Sequence, residues 1–306
     1  MTEKIVNQLP SKTWYWLKIN DSRFQWNEDQ NQALEEVKIQ ASKGQVADPV
    51  TLVIDEDYEY ATKHIVIEAE EDSQVTVYVT YKTEKNLAVI TDMKAAKNAR
   101  IRLVQTQMSK ENSLIFNKVQ GQIEEKAKIE VIQFYLGRGR IYTDNQMDLM
   151  GKKSESAYDI AYLGQGQDLI DINVVLNHYG VKSHSETYVG GALKDASKKI
   201  FRGTIDFKNG ASKATGDEQE TVLLLGDQVH NLTIPVILCA EEDVSGTHGA
   251  SIGELDEETL FYFESRGIDQ KTAENIMARA SVERLIRKLE DQGAQNQVQQ
   301  ILCQVL

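Results

Sequence analysis

Among the residues able to hold a metal ion or move a proton, one histidine stands apart by its surroundings. His248 lies within Thr247-His248-Gly249 and has Gly246, Gly249 and Gly253 around it. Backbone can approach so small a neighbourhood closely, and little shields the ring. A neutral imidazole is a good iron ligand and titrates near physiological pH. His64 and His230 read as ordinary turn or surface residues. His178 and His184 flank Gly180 at a spacing of six residues, which is no recognised ligand spacing. Cys239 and Cys303 are far apart, form no C-x-x-C pair, and read as reduced thiols packed as small apolar groups. A stable iron–sulfur cluster usually takes four protein ligands, typically thiolates. Two cysteines cannot supply them, so a cluster, if this chain handles one, would be held transiently or with ligands from a partner.

Other catalytic patterns are missing. The chain has no P-loop, H-E-x-x-H or G-x-S-x-G motif. Gly137-x-Gly139 and Gly164-x-Gly166 lack the third glycine of a dinucleotide fingerprint, and the residues after each alternate like a strand. They read as tight corners. Shortly after His248 comes an acidic helix start at Asp256-Glu257-Glu258, then the run Leu260-Phe261-Tyr262-Phe263, Arg266 and a stop at Gly267. The four apolar side chains span more than one helix face, so they cannot all point inward. That favours a groove on a partner for some of them, with Arg266 available to an acidic patch there.

The elements that position these residues are mostly strands. Apolar residues alternate with polar ones at Ile65, Ile67 and Ala69, at Val75, Val77, Val79 and Tyr81, at Ile101 and Leu103, and at Ile129 and Val131. These are short strands with one buried face. No helix of 10–15 residues separates them as an ordinary α/β crossover would. Tyr135-Leu136-Gly137-x-Gly139 returns 27 residues later as Tyr162-Leu163-Gly164-x-Gly166, and the same offset carries Asp144 onto Asp171 and Leu149 onto Leu176. A looser third copy stands at Tyr188-Val189-Gly190. A period in the twenties is that of one coil of a parallel β-solenoid. The fold expected is therefore mainly β, a parallel β-helix with a small C-terminal helical subdomain. The divisions expected are 1–50 as an aromatic N-terminal segment, 51–252 as the β-helix, and 253–306 as a helical, partner-docking subdomain. Trp14, Trp16 and Trp26 all fall in the first part and read as an aromatic cap over the open end of the next. Residues 31–43 fit a short helix or an irregular arm equally well. Helices are expected from Asp256 to Gly267, from about Asp269 to Asp291 with Ala273, Ile276, Met277, Ala280, Leu285, Ile286 and Leu289 on one face, and from about Ala294 to Leu306 with Val298, Ile301, Leu302 and Val305 aligned.

Composition narrows the classes. With 34 basic and 47 acidic residues the chain carries a formal charge of −13, the wrong sign for a general phosphate-backbone binder. The N-terminal sequence MTEKIVNQLPSKTW has no apolar core of a signal peptide, and no apolar stretch approaches the ~20 residues of a membrane helix. A cytoplasmic protein with neither nucleic-acid nor membrane partner is expected.

The segment Thr247–Gly267, THGASIGELDEETLFYFESRG, closely resembles the SufB/SufD family of iron–sulfur cluster assembly proteins, and its histidine–glycine pattern is nearer to SufD. The late stretch 190–226, with Phe201-Arg202-Gly203 the best-matched piece, and the aromatic run LPSKTWYWLKIND resemble that family too, although the helical region usual at the N-terminus is much abbreviated. The resemblance implies a right-handed parallel β-helix and a non-catalytic scaffold in a SufB–SufC–SufD complex. A SufB-like subunit would pair with it and a SufC-type ATPase would dock on its C-terminal tail. His248 matches the SufD histidine at the interface with SufB, where a cluster forms transiently; no cofactor is implied as permanently bound, and flavin is left open. SufD proteins commonly carry a cysteine two residues before this histidine, where this chain has Gly246. Two alternatives stand beside that reading: a relative of β-helix polysaccharide lyases and hydrolases, and a SufB-like subunit that holds the cluster itself. The first is disfavoured by the missing signal peptide, the second by the missing cysteine.

Overall fold

Period-two alternation repeated along a chain leaves each strand with one apolar face that only stacking can bury. The computed structural model, which describes residues 1–13 and 15–306, meets this demand with a parallel β-solenoid of about 8 turns that is 54% strand. An antiparallel hairpin of β1 (Thr2–Val6) and β2 (Ser22–Trp26) comes first. The first solenoid sheet contains β3 (Asn31–Ala33), β4 (Val37–Ala41), β6 (Tyr60–Ala69), β8 (Asn86–Ala95), β10 (Leu114–Ile123), β12 (Arg140–Leu149), β14 (Leu169–His178), β16 (Lys198–Phe207) and β18 (His230–Cys239). The second contains β5 (Val50–Ile54), β7 (Gln74–Thr83), β9 (Arg100–Ser109), β11 (Lys128–Tyr135), β13 (Glu155–Gly164), β15 (His184–Lys194), β17 (Thr215–Leu225) and β19 (Ser245–Glu254). The chain passes from one sheet to the other and back with each coil. Every alternating residue named above, from Ile65 to Val131, lies in the core between the two sheets. Residues 31–43 are thus strands of the first coil, with β3 and β4 both paired to β6.

One corner of the rod repeats with the stack. Asp72, Asn98, Lys126, Lys153 and Lys182 all turn there with φ between 57° and 60°. Each donates its backbone N–H to a carbonyl one coil further on, at 2.9–3.1 Å. A lysine does not favour this conformation by itself; the bond to the next coil holds it there.

The repeat found in the sequence is real in one sheet and displaced in the other. Tyr135 lies beside Tyr162 in the β11–β13 pair, at the 27-residue offset. Between β12 and β14 the offset is 29, because β13 runs two residues past Tyr162 where β11 stops at Tyr135, so Asp144 lies beside Asn173 and Leu149 beside His178. The third copy is out of register as well. Gly191, not Tyr188, stacks on Tyr162, while Tyr188 stands beside Asp159.

Both terminal segments fold back onto the outer faces of the sheets. Phe24 and Trp26 pack on Tyr60, Ala88, Leu114 and Tyr142, and Leu9 packs on Ile200 and Ile234. The N-terminal aromatics therefore cover the side of the first sheet rather than capping an open end. Trp16 is exposed, and Trp14 lies outside the described residues. At the other terminus, α1 (Glu257–Ser265), α2 (Gln270–Ile286) and α3 (Gln292–Val305) begin at the N-caps Asp256, Asp269 and Asp291. The buried stripe of α2 is Ala273, Ala278, Val282, Leu285 and Ile286, while Ile276 and Ala280 of the expected face are exposed. The stripe is set by the sheet it meets: with Val298, Ile301 and Leu302 of α3, its part from Ala278 to Ile286 packs on Val104, Ile132, Phe134, Leu136, Ala161 and Leu163 of the second sheet and its corner. Among the described residues no helix is long and apolar enough to cross a membrane.

Candidate functional site at the open end of the solenoid

The last coil differs from all others because nothing stacks on it. Among the described residues β18 pairs only with β16 and β19 only with β17, so each leaves one edge of backbone N–H and C=O groups unpaired. Leu232 and Ile252 are exposed there, 40% and 47% accessible. His248 sits on β19 beside Glu218 of β17 and continues the inward-facing row Tyr158, Thr187, Glu218. Its predecessors in that row are buried, whereas His248 is exposed at the mouth of the solenoid.

Gly246 has a steric reason. A Cβ there would lie 2.9 Å from the ring of Phe207 and 3.3 Å from Ile237. Phe207 is held against His178 at 4.9 Å between ring centres. A side chain two residues before the histidine therefore has little room in this chain. Cys239 closes β18 on the same coil and is exposed, with Sγ 3.4 Å from the carbonyl oxygen of Glu241. Cys303 is exposed too, so neither thiol packs as a core residue, contrary to the sequence-based expectation. Small size did not bury them: Cys239 ends a strand of the last coil, and Cys303 lies on the exposed side of α3 with Sγ 3.3 Å from Arg279 Nη1.

Just inside the mouth is a charged group that sequence inspection passed over. Lys199 of β16 is fully buried and pairs with Glu220 of β17, whose other carboxylate oxygen accepts from the Thr233 hydroxyl at 2.7 Å. Burial lowers the lysine's proton affinity. Glu218, two residues before, is 5% exposed and makes no hydrogen bond or ion pair among the described residues. Burial first, then the neighbouring carboxylates Glu220 and Asp217, push its carboxyl up to about 8. Its carboxylate lies across the solenoid against Gly203, where a Cβ would stand 1.8 Å from Oε2. The detectable signal was in Thr215–Leu225, TGDEQETVLLL, which puts two glutamates at inward positions of an alternating strand where apolar residues belong.

The remaining histidines are accounted for by local contacts. His178 is buried, with Nδ1 2.8 Å from Ser183 Oγ and Nε2 2.9 Å from Ser185 Oγ. His184 is half-buried and contacts Thr215 and Glu186, so the two rings do not converge. His64 lies on β6, not in a turn, between Glu36 at 2.8 Å and Asp92 at 2.6 Å. His230 opens β18 on the surface. Among the described residues no three His, Cys, Asp or Glu side chains are grouped to hold a metal ion.

Beyond β19 the aromatic run forms α1, which buries no residue. Leu260 and Phe263 are half-buried, and Phe261 and Tyr262 are 71% and 56% exposed. Arg266 lies over the Tyr262 ring at 5.2 Å, a cation–π contact within the chain. The helix starts on the Asp256 carboxylate, which accepts from Thr259 N at 2.6 Å, and stops at Gly267 with φ of +78°. Hence the structure brings Leu260, Phe261, Tyr262, Phe263 and Arg266 together on one short helix, on a different element from His248.

Comparison with known proteins agrees with this architecture. Residues 52–281 match the family described as "SUF system FeS cluster assembly, SufBD core domain". The chain is 26% identical over 245 residues to the iron–sulfur cluster assembly protein SufD of Bacillus subtilis, covering 78% of this chain and 56% of that protein. It is 27% identical over 165 residues to the SufD of Escherichia coli, covering 54% and 39%. A SufBD family protein of Pyrococcus horikoshii is 25% identical over 232 residues, covering 74% and 51%. The chain thus spans about half the length of these relatives.

Proposed function

The chain belongs to the SufB/SufD family, on its SufD side, and from that premise we propose that it is a non-catalytic scaffold of an iron–sulfur cluster assembly complex. In this reading the open last coil pairs with a SufB-like β-helix subunit, and α1 docks a SufC-type ATPase whose nucleotide cycle moves the pair. His248 then faces the subunit interface, where a cluster is assembled transiently with ligands drawn largely from the partner. The observation that carries the reading is the mouth itself. A solenoid needs a polar or covered end to stay soluble, and this one ends on two unpaired strands carrying Leu232, Ile252 and an exposed imidazole. An added strand would satisfy those backbone groups.

The test uses α1. Deleting the tail is a poor choice, because α2 and α3 cover apolar residues of the second sheet. Phe261→Ser with Tyr262→Ser removes two exposed rings and nothing from the core. Co-expression with a SufC-type ATPase and a SufB-like subunit should show the double variant losing at least ~10-fold in ATPase retention, the equivalent of about 1.4 kcal/mol, while keeping the SufB-like subunit. Undiminished ATPase capture would remove α1 from the docking role. The isolated chain should hydrolyse no ATP.

A further inference from the structure

A cluster of exposed apolar side chains marks a contact surface, whereas single ones need no explanation. Met150, Tyr179 and Val181 are 45%, 40% and 37% exposed. They belong to one corner of the rod. Met150 follows Leu149 and Tyr179 follows His178, and those two residues are in register on β12 and β14. Val181 accepts at its carbonyl from Lys153 N, in the stack of left-handed residues. Lys126, Lys153, Lys182 and Lys213 fill four consecutive steps of that stack with φ between 57° and 61°, and all four are exposed. Lys126 has Glu125 at 3.8 Å, but the ammonium groups of Lys152, Lys153, Lys182 and Lys213 make no ion pair or hydrogen bond among the described residues. In a chain of formal charge −13 this row is a local reversal of sign. The turn itself does not call for lysine. Asn98 takes the preceding step at φ 58°, and asparagine suits that conformation better.

We propose that this corner is a docking ridge for an extended acidic segment of another protein, one that also carries an apolar side chain to cover Tyr179 and Val181. Coils about 4.8 Å apart put the four lysines on a line about 14 Å long, which about four to five extended residues span. Lys208 lies 5.9 Å over the Tyr179 ring and adds a fifth cation beside the apolar patch. The ridge is narrow. Asp72 and Asp243 stand in the same stack beyond the lysines, and Glu125 and Glu155 flank it. A membrane surface or a nucleic-acid duplex is broad enough to meet those carboxylates together with the lysines, whereas a single acidic strand laid along the corner meets the lysines alone. The ridge uses no residue of β18, β19 or α1, so it stands apart from the contacts of the proposed function.

The probe is a fluorescein-labelled peptide, EEDELEDEEE, titrated with the full chain by fluorescence anisotropy. Wild type should bind it saturably and lose affinity as salt rises from about 0.05 to 0.3 M. Lys153→Asn with Lys182→Asn removes two charges where asparagine fits the backbone, so the fold should hold. Its binding should fall at least ~5-fold, the loss of two exposed ion pairs. Tyr179→Ser should weaken that peptide but not a version with serine in place of its leucine. Lys110→Gln with Lys271→Gln removes as much charge from exposed positions elsewhere and should bind as wild type. Equal loss in that pair would mean that the peptide senses net charge only, and would overturn the ridge. So would undiminished binding by the asparagine pair, or no saturable binding by wild type. Vesicles of equimolar phosphatidylserine and phosphatidylcholine should not co-sediment the chain; lysine-dependent co-sedimentation would replace the acidic segment by a lipid surface. A lysine-dependent dimer of the chain alone would likewise overturn the proposal in favour of a second copy.

Discussion

His178 and Glu218 show how much a single inward position matters in a solenoid. Both are ionisable, both face inward, and burial moves them in opposite directions. The imidazole of His178, packed against Phe207 and bonded to Ser183 and Ser185 with His184 nearby, falls to about 4 from an ordinary 6.5. Unfolding lets it take up a proton between those values, so its contribution is full above 6.5 and is lost as pH falls toward 4. The difference amounts to about 3 kcal/mol at most. Glu218 behaves oppositely: its carboxyl is raised to about 8 from 4.5, so its contribution is full below 4.5 and is lost as pH rises through 8. Thermal melts from pH 5 to 8 should therefore show a shallower acid decline for His178→Leu than for wild type. A parallel decline in both would mean that the buried imidazole does not set the acid limb.

The corner stack and α1 behave differently because one is built by neighbours and the other by local capping. At the stacked corners coils approach too closely for side chains. A Cβ on Gly180 would stand 1.9 Å from the carbonyl oxygen of Gly151, and one on Gly151 would stand 2.0 Å from the backbone N of Glu125. Backbone cannot yield as a side-chain tip can. Gly180→Ala should therefore cost on the order of 2–4 kcal/mol, read as a lower denaturation midpoint at unchanged m-value. A midpoint within ~0.5 kcal/mol of wild type would show that the corner relaxes. By contrast α1 was fully readable: its N-cap Asp256, acidic first turn and terminal Gly267 are all local signals. The same logic failed for the face of α2, where the sheet it meets chose Ala278 and Val282 over Ile276 and Ala280.

Across the whole molecule, one buried ion pair ties the N-terminal segment to the rod. Arg202 of β16 and Asp171 of β14 are both fully buried and 2.5 Å apart. Arg202 Nε donates to the Ile19 carbonyl at 2.7 Å and Nη2 to Ser22 Oγ at 3.1 Å, while Asn7 donates to Asp171 at 2.6 Å. Removing one partner leaves a buried charge uncompensated. Arg202→Ala is expected to destabilise by about 3–5 kcal/mol. Trypsin should then cut at Lys12 and Lys18 faster than elsewhere. Unaltered cleavage there would mean that Phe24, Trp26 and Leu9 hold the segment without the pair.

Alternation at period two, the 27-residue repeat and the capped helices are short-range properties, and from the sequence by itself they determined a parallel β-solenoid, its apolar rows and its helical tail. Phe201-Arg202-Gly203 and the stretch from Thr247 to Gly267 determined the family as well. Which residues meet across coils was decided only by tertiary structure. Two extra residues at the end of β13 move every contact between β12 and β14 from an offset of 27 to 29, and so place Asn173 rather than Asp171 beside Asp144. The same long-range register set Glu218 beneath His248, held lysines in left-handed corners through bonds to the next coil, and folded both termini over the sheet faces. Those outcomes depend on surfaces that come to exist only when the coils stack, so no window of neighbouring residues contains them.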